Sequence, residues 1–568
     1  MAATLPKNSD VAERFELLAD LLELEGVESY RVIAYRRAAG RIRETPSLVA
    51  GLALDGRARD LPGIGRTIEG KIVQLVRDGE IEALRERRQV VPPELLAFLR
   101  LPGLGPKTVR RIWKELGITS LNELRNAAAA QRLRQLPGLG AKTEENILRA
   151  LERGQPEPER GTLLGTALPA LREVAAQLRE HPALDRLSEA GSVRRRKEVV
   201  RDIDLIATSS DPASLTEEFV GHERVAEVVA HGPTKATIVW HNGLRFDLRV
   251  VPPDAYGNLL QHFTGSKEHN LALREDAVRR GLSVSEYGVL VVESGRVETA
   301  ETEEEVYRLL GYPYNEPELR ENGGELEAAR DGMLPALVEA GDLRGDLHSH
   351  SSWSADADHS LEEMARAAQA RGYDYLAVTD HSHYLREGRF EAQTDVIEAL
   401  NGQLAPFRIL RGIEVNIAPD GSLDAPEEQL ALCDWVIASL HRAFDVTPTE
   451  RVLAAMEHPR VNCIGHPTAR KIGRRAGAEL DIERVVTKAV ETGTALEINS
   501  QADRLDLRDV HARAAGEAGA RIVVSSDAHR IRELENVELG VAQARRAWLT
   551  KEQVLNTRLW PELEALLR

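Results

Sequence analysis

Apolar residues recur at spacings of three and four along residues 8–90, as in Phe15–Leu24 and Ile68–Val76, and this spacing predicts short amphipathic helices. Between 162 and 312 the pattern turns strand-like. One apolar stretch contains Asp202-Ile203-Asp204, and another spans Leu244–Val251. From 344 onward, short apolar runs each end in polar residues. They are Asp346–His350, Tyr375–His381, Ile409–Glu414, Trp435–His441, Val461–His466, Ala495–Asn499 and Arg521–His529. Helical patterns fill most of the gaps. Seven strand–helix units with polar groups at the C-terminal strand ends predict a distorted (β/α)7-like barrel.

A repeat interrupts the helical part. Leu61-Pro-Gly-Ile-Gly65, Leu101-Pro-Gly-Leu-Gly105 and Leu136-Pro-Gly-Leu-Gly140 are each followed by a helical pattern with Lys or Arg close by. The glycines permit a tight turn and expose backbone N–H groups at a helix start, which is a phosphate site blind to base sequence. Its candidate contacts are Gly63, Gly65, Gly103, Gly105, Lys107, Gly138, Gly140 and Lys142. The predicted organisation is a helical domain over 1–90, a second over 91–154, a Pro/Gly-rich linker at 154–161, an α+β catalytic domain over 162–312, a polar connector with one or two helices over 313–343, and the barrel over 344–568.

The chain's 568 residues exceed one core. No apolar run approaches 18 residues and the N-terminus lacks a charged-then-apolar signal, so a soluble cytoplasmic protein with no membrane partner is expected. Cys433 and Cys463 have no metal spacing and read as small core residues. The formal charge of −17 hides an asymmetry. Residues 1–154 carry 26 Lys and Arg against 21 Asp and Glu, whereas the remainder carries 48 against 70. The basic part coincides with the repeats, and local patches govern phosphate binding.

Side chains two apart on a strand share a face, so Asp202 and Asp204 project together. The Asn242-Gly243 turn predicts a hairpin that brings Asp247 back beside its partner strand. Three clustered carboxylates call for cations, and two Mg²⁺ or Mn²⁺ ions would clamp an in-line phosphoryl transfer. Upstream, Gly191 lets backbone approach phosphate, Ser192 offers a hydroxyl, and Arg195 offers a fork suited to a triphosphate. In the last segment, His and carboxylate oxygen suit Zn²⁺, Mn²⁺ or Fe. Ten of the 16 histidines lie there. His359, His458 and His511 fall outside the strand-end pattern and read as surface or packing residues.

The string GSVRRRKEVVRDIDL, with Asp247 in a following hairpin, resembles the nucleotidyltransferase signature of family X DNA polymerases, the small gap-filling enzymes of base excision repair. The LPGxG repeats resemble helix-hairpin-helix motifs. The resemblance to family X polymerases implies nucleotide contacts within His262-Phe263-Thr264-Gly265-Ser266 and the helix after it. Phe263 and Gly265 would lie against the sugar, Asn270 would face the incoming nucleotide, and Arg274 the nascent pair or template. His262 stands where animal enzymes have Tyr. Lys267 replaces an acid and adds a phosphate or base contact. Lys71, in LPGIGRTIEGKI, matches the amine of the family's deoxyribose-phosphate lyase, as Tyr35 in AYRRAA matches its neighbour. Lys71 is read as either that nucleophile or a phosphate contact, with Arg36, Arg37 and Arg66 as the cations that would lower its pKa.

The last segment resembles the PHP (polymerase and histidinol phosphatase) domain. This implies metal ligands at His348, His350, Asp356, His381, Glu414, His441, His466, Asp527 and His529, for up to three ions, with Asp358 as the fallback for Asp356 and His383 behind them. In bacterial family X polymerases such a domain is associated with 3′-5′ exonuclease activity. Arg470, Lys471, Arg474 and Arg475 would either gather a DNA strand or form a solvated loop. The expected protein is a monomer acting on gapped or nicked DNA and deoxynucleoside triphosphates. The rival readings are a PHP phosphatase of the histidinol phosphatase type and a repair scaffold without catalysis.

Overall fold

The computed structural model describes residues 5–6, 8–27, 29–44, 48–61, 63–92, 94–99, 101, 104–136, 139–140, 144–145, 147–148, 151, 161–472, 475 and 477–567. The chain forms two compact units, Met1–Arg160 and Gly161–Arg568. Gly103, Gly138, Lys142 and Arg474 lie outside the described residues.

The first unit is helical, as its periodicity predicts, from Asn8–Glu25 and Ser29–Glu44 through Arg66–Asp78 to Pro106–Leu116 and Leu121–Ala129. One apolar core runs through it, with Phe15, Leu18, Phe98, Ile112 and Ile147 fully or almost fully buried. Each such side chain contributes about 1.5–3 kcal/mol. The division expected at residue 90 is therefore not a break in packing. Leu84 on one side and Leu95 and Ile112 on the other belong to the same buried cluster.

The second unit begins with a five-stranded sheet in the order Leu184–Ala190, Ile203–Ser209, Arg245–Val250, Lys235–Trp240, Val225–Gly232. The expected hairpin is there, with Gly243 taking the positive φ (86°) that its turn requires. The Asp247 strand runs antiparallel to Lys235–Trp240 and parallel to Ile203–Ser209. A helical and three-stranded subdomain follows, with helices Tyr256–Thr264, Lys267–Arg279 and Glu303–Leu309.

Residues 313–330 depart from the expected polar connector. Arg320 is fully buried and donates from Nη1 to Glu303 Oε1 at 2.6 Å. Glu325, also buried, meets His269 Nδ1 at 2.6 Å. Their charge disguised a packed segment, because buried ions are tolerated only when paired like this.

The last part is a barrel of seven parallel strands in chain order: Gly345–Ser349, Tyr375–Val378, Arg408–Asn416, Trp435–Ser439, Cys463–Gly465, Ala495–Asn499 and Ile522–Ser525. The ends meet. The amides of His350 and Asp527 donate to the carbonyls of Ala528 and His348 at 2.8 and 2.9 Å. Both faces of these strands are covered, which explains their unbroken apolar runs.

Candidate functional sites

In the five-stranded sheet, Asp204 stands opposite Asp247 in parallel register. Asp202 lies two residues before Asp204. The Thr237 hydroxyl donates to Asp247 Oδ1 at 2.5 Å, and Arg245 Nε donates to Oδ2 at 3.0 Å. Burial, then repulsion from Asp202 and Asp247, pushes the Asp204 carboxyl up to about 7. At Gly191 a Cβ would fall 2.2 Å from Asp204 Oδ2, so only glycine fits between the GSVRR turn and this carboxylate. Its φ of +65° makes the same demand. Arg195 is engaged. Its Nε donates to Glu321 Oε1 at 3.0 Å and its Nη1 to the Thr264 carbonyl. Arg194 is a half-buried strut to buried Glu303 at 2.5 Å.

Phe263 lies under the Arg249 guanidinium, 4.2 Å from its ring centre, and edge-on to His262. Asn270 is anchored at both ends. It donates to the His262 carbonyl (2.7 Å) and accepts from Gln261 (2.8 Å). Arg274 Nη2 reaches His262 Nδ1 at 3.1 Å. Lys267 is exposed at the start of the helix Lys267–Arg279. Gly265 packs against Arg195, 3.1 Å from a would-be Cβ.

The barrel gathers all nine of its expected ligands at one end. Glu414 is the hub. Its two oxygens lie 2.8–3.7 Å from nitrogens of His348, His350, His381, His441 and His466. Asp527 Oδ1 lies 3.5 and 3.3 Å from His348 and His350. Asp356 reaches His381 and His529 at 3.4 and 3.5 Å. Asp358 turns away to Arg530 (2.5 Å), whereas Asp356 faces the imidazoles. Three sets of ligand atoms lie within 4.8 Å of one another: His350/His381/His529, His348/His350/Glu414 and His381/Glu414/His441. Among the described residues, none of these sets falls among the sheet aspartates.

The donors fit metal. His348 Nε2, both nitrogens of His350, His381 Nδ1, His466 Nδ1 and both oxygens of Glu414 are buried without a hydrogen-bond partner. Such orphans cost about 1–3 kcal/mol each unless a ligand takes them up. Burial, with His529 and His381, drives His350 down to about 3, which leaves a neutral imidazole ready to coordinate. Burial also takes His466 down to about 4.

Several residues behind the ligands escaped the sequence reading. Buried Glu497 accepts from the His466 main-chain amide (2.6 Å) and meets His348 Nδ1 (2.7 Å), so it anchors the His466 backbone and orients the His348 ring. Asn416 Oδ1 holds His441 Nδ1 at 2.6 Å. Both lie on strands already singled out, and an acid inside the apolar run Ala495–Asn499 was the available signal. Arg504 carried none. Its Nε and Nη1 are buried and unpartnered, and Nε lies 3.8 Å from Asp527 Oδ2. The cations expected to gather DNA are otherwise employed. Arg470 bonds Glu198 (2.7 Å), Lys471 bonds Asp503 (2.7 Å), and Arg475 caps the Ala469 carbonyl. His383 stacks on the His381 ring at 5.4 Å.

In the helical unit the three LPGxG turns share one hydrogen bond, from the residue after the first glycine back to the leading Leu carbonyl (3.1, 3.2 and 3.1 Å). Gly65 and Gly105 are the N-caps of Arg66–Asp78 and Pro106–Leu116, and Lys107 is exposed in the first turn of the latter. Gly140 precedes the next helical residues. Lys71 is half-buried, and its amine is lowered by burial against the opposing pull of Glu86 and Glu82, with Arg87 assisting. Burial, not the cluster Arg36, Arg37 and Arg66, supplies the shift. Arg36 is tied to Asp20 and Glu23.

A carboxylate-bearing sheet and a histidine-rich barrel on one chain define a two-centre enzyme of phosphate chemistry. Residues 6–81 match the helix-hairpin-helix domain, 95–153 the SAM-like helix-hairpin-helix tandem, 259–321 the DNA polymerase beta thumb and 346–501 the PHP domain. The DNA polymerase/3′-5′ exonuclease PolX of Bacillus subtilis is 38% identical over 570 residues, covering 98% of this chain and 99% of that protein. The chain belongs to that PolX family. Rat DNA polymerase lambda is 26% identical over 342 residues, 55% of this chain and 56% of its own. A probable phosphatase of Acetivibrio thermocellus is 32% identical over 197 residues, 32% of this chain and 78% of that one. Among the described residues, no helix is long and apolar enough to cross a membrane.

Proposed function

We propose that the chain fills gaps in DNA during base excision repair from its sheet site and trims 3′ ends by phosphodiester hydrolysis at its barrel site. The observation that carries this is the joint presence of the carboxylate trio and the full barrel donor set in a chain similar to PolX over its whole length.

Asp202, Asp204 and Asp247 would hold Mg²⁺ or Mn²⁺, and the barrel donors Zn²⁺ or Mn²⁺. Divalent cations in these places supply Lewis acidity and charge neutralisation at the reacting phosphate. The residues do the rest. Gly191 leaves room for the triphosphate against Asp204, and Ser192 and Arg195 bind it. Phe263, kept flat by Arg249, and Gly265 bed the sugar. Asn270, Arg274, His262 and Lys267 frame the nucleotide. The primer 3′-hydroxyl attacks the α-phosphorus, its proton passes to a carboxylate of the trio, and pyrophosphate leaves. The LPGxG turns hold the duplex by its phosphates.

On a gapped duplex, dNTP-dependent extension and, without dNTP, 3′ shortening should both appear with Mg²⁺ or Mn²⁺ and vanish on chelation. Turnover of histidinol phosphate without either activity would favour the phosphatase reading. Arg504, whose Nε and Nη1 make no hydrogen bond beside Asp527, is assigned to a non-bridging oxygen of the scissile phosphate. Arg504→Gln should slow 3′ digestion about 10²-fold, with bound metal and extension unchanged. Wild-type digestion by that variant would remove the assignment.

A further inference from the structure

The barrel reaches the nucleotide site through a buried side chain. Arg546, at the end of the helix Val537–Arg546, has a side chain only 4% exposed. Its Nη1 donates to the carbonyl of Arg195 (2.8 Å) and to Glu321 Oε1 (3.1 Å). Its Nε and Nη2 donate to Asp509 Oδ2 (2.9 and 2.6 Å). Glu321 Oε1 is also the acceptor for Arg195 Nε (3.0 Å), and Lys197 stands 3.8 Å from Oε2. One carboxylate is thus shared between the arginine assigned to the triphosphate and an arginine 351 positions away. The neighbours reinforce the grip. Arg545 bonds Glu318 (2.7 Å) and Arg513 bonds the Gly323 carbonyl (2.9 Å).

We propose that Arg546 is a positioning residue for nucleotide binding, by which the barrel domain sets the affinity of the polymerase site for dNTP. This rests on the reading of Arg195 as a triphosphate contact. To meet phosphate, the Arg195 fork must loosen from Glu321 and the Thr264 carbonyl. Arg546 makes that exchange inexpensive, because it keeps Glu321 compensated and pins the Arg195 main chain. Without it, Glu321 holds Arg195 more tightly and the GSVRR turn loses its anchor.

The test is equilibrium binding of dATP with Mg²⁺ to the full chain, together with steady-state extension. Arg546→Gln should weaken dATP about fivefold or more and raise KM with little change in kcat. Adding Glu321→Gln to it should recover most of the loss, because the competing carboxylate is gone. Arg546→Lys, which retains the charge, should fall between. Melting of each variant shows whether the fold survives. A merely structural arginine would give additive losses with no recovery in the double variant. If Arg195→Ala leaves dATP binding unchanged, the reading of the nucleotide site fails. If Arg195→Ala weakens it and both Arg546 variants bind like wild type, the proposed coupling is wrong.

Discussion

Asp204→Asn will abolish nucleotide addition while sparing 3′ digestion. The substitution removes one of three carboxylates that would hold the cations and takes no atom from the barrel. Losing even a few kcal/mol of charge stabilisation at the reacting phosphate costs about a thousandfold. The same side chain ties activity to stability. Its carboxyl is pushed up to about 7 from the usual 3.8. Below the unfolded value both folded and unfolded chains hold the proton, and burial costs nothing. As pH rises toward 7, the unfolded chain ionises freely while the folded one resists. Stability therefore falls across that window, and above it the full cost, on the order of 4 kcal/mol at most, is carried until cations offset it. Asp204→Asn should raise the melting temperature of metal-free protein at pH 8 and leave it unchanged at pH 4. Mn²⁺ should stabilise wild type more at pH 8 than at pH 5. Extension within tenfold of wild type, or equal Mn²⁺ shifts at both pH values, would contradict the assignment.

Glu414→Gln carries the second large effect, with the opposite selectivity. Five imidazoles face its two oxygens within 3.7 Å, and neither oxygen has a hydrogen-bond donor. An amide of the same shape removes the charge and presents N–H donors to nitrogens that need a metal. Bound metal should drop by at least one ion per chain by elemental analysis, and 3′ digestion should fall on the order of 10³-fold. Gap extension should persist, because Glu414 touches nothing in the sheet site. Digestion at the wild-type rate with metal depleted would show that the barrel is not the nuclease.

Much of both centres was legible along the chain, because strand geometry writes itself locally. A period of two predicts Asp202 beside Asp204, although the strand begins only at Ile203, and an Asn-Gly turn brings Asp247 opposite Asp204. Seven apolar runs ending in His, Glu or Asn are seven barrel strands ending at one rim. Even the Asp356/Asp358 ambiguity was visible, although only the fold shows that Asp358 is taken up by Arg530. The misses share a cause. Arg320, Glu325 and Glu303 look like surface charges until each is seen with its partner. Arg470 looks like a free cation until Glu198 arrives from 272 positions away.

The residue order by itself determined which elements form, which rim carries the ligands and which chemistry the two centres support, since periodicity, turn residues and donor types act over a few positions. Only the tertiary structure decided which charges are spent inside the protein and which stay available. Arg195, Glu321 and Arg546 come from three distant segments, and burial, not position in the chain, makes one depend on the next.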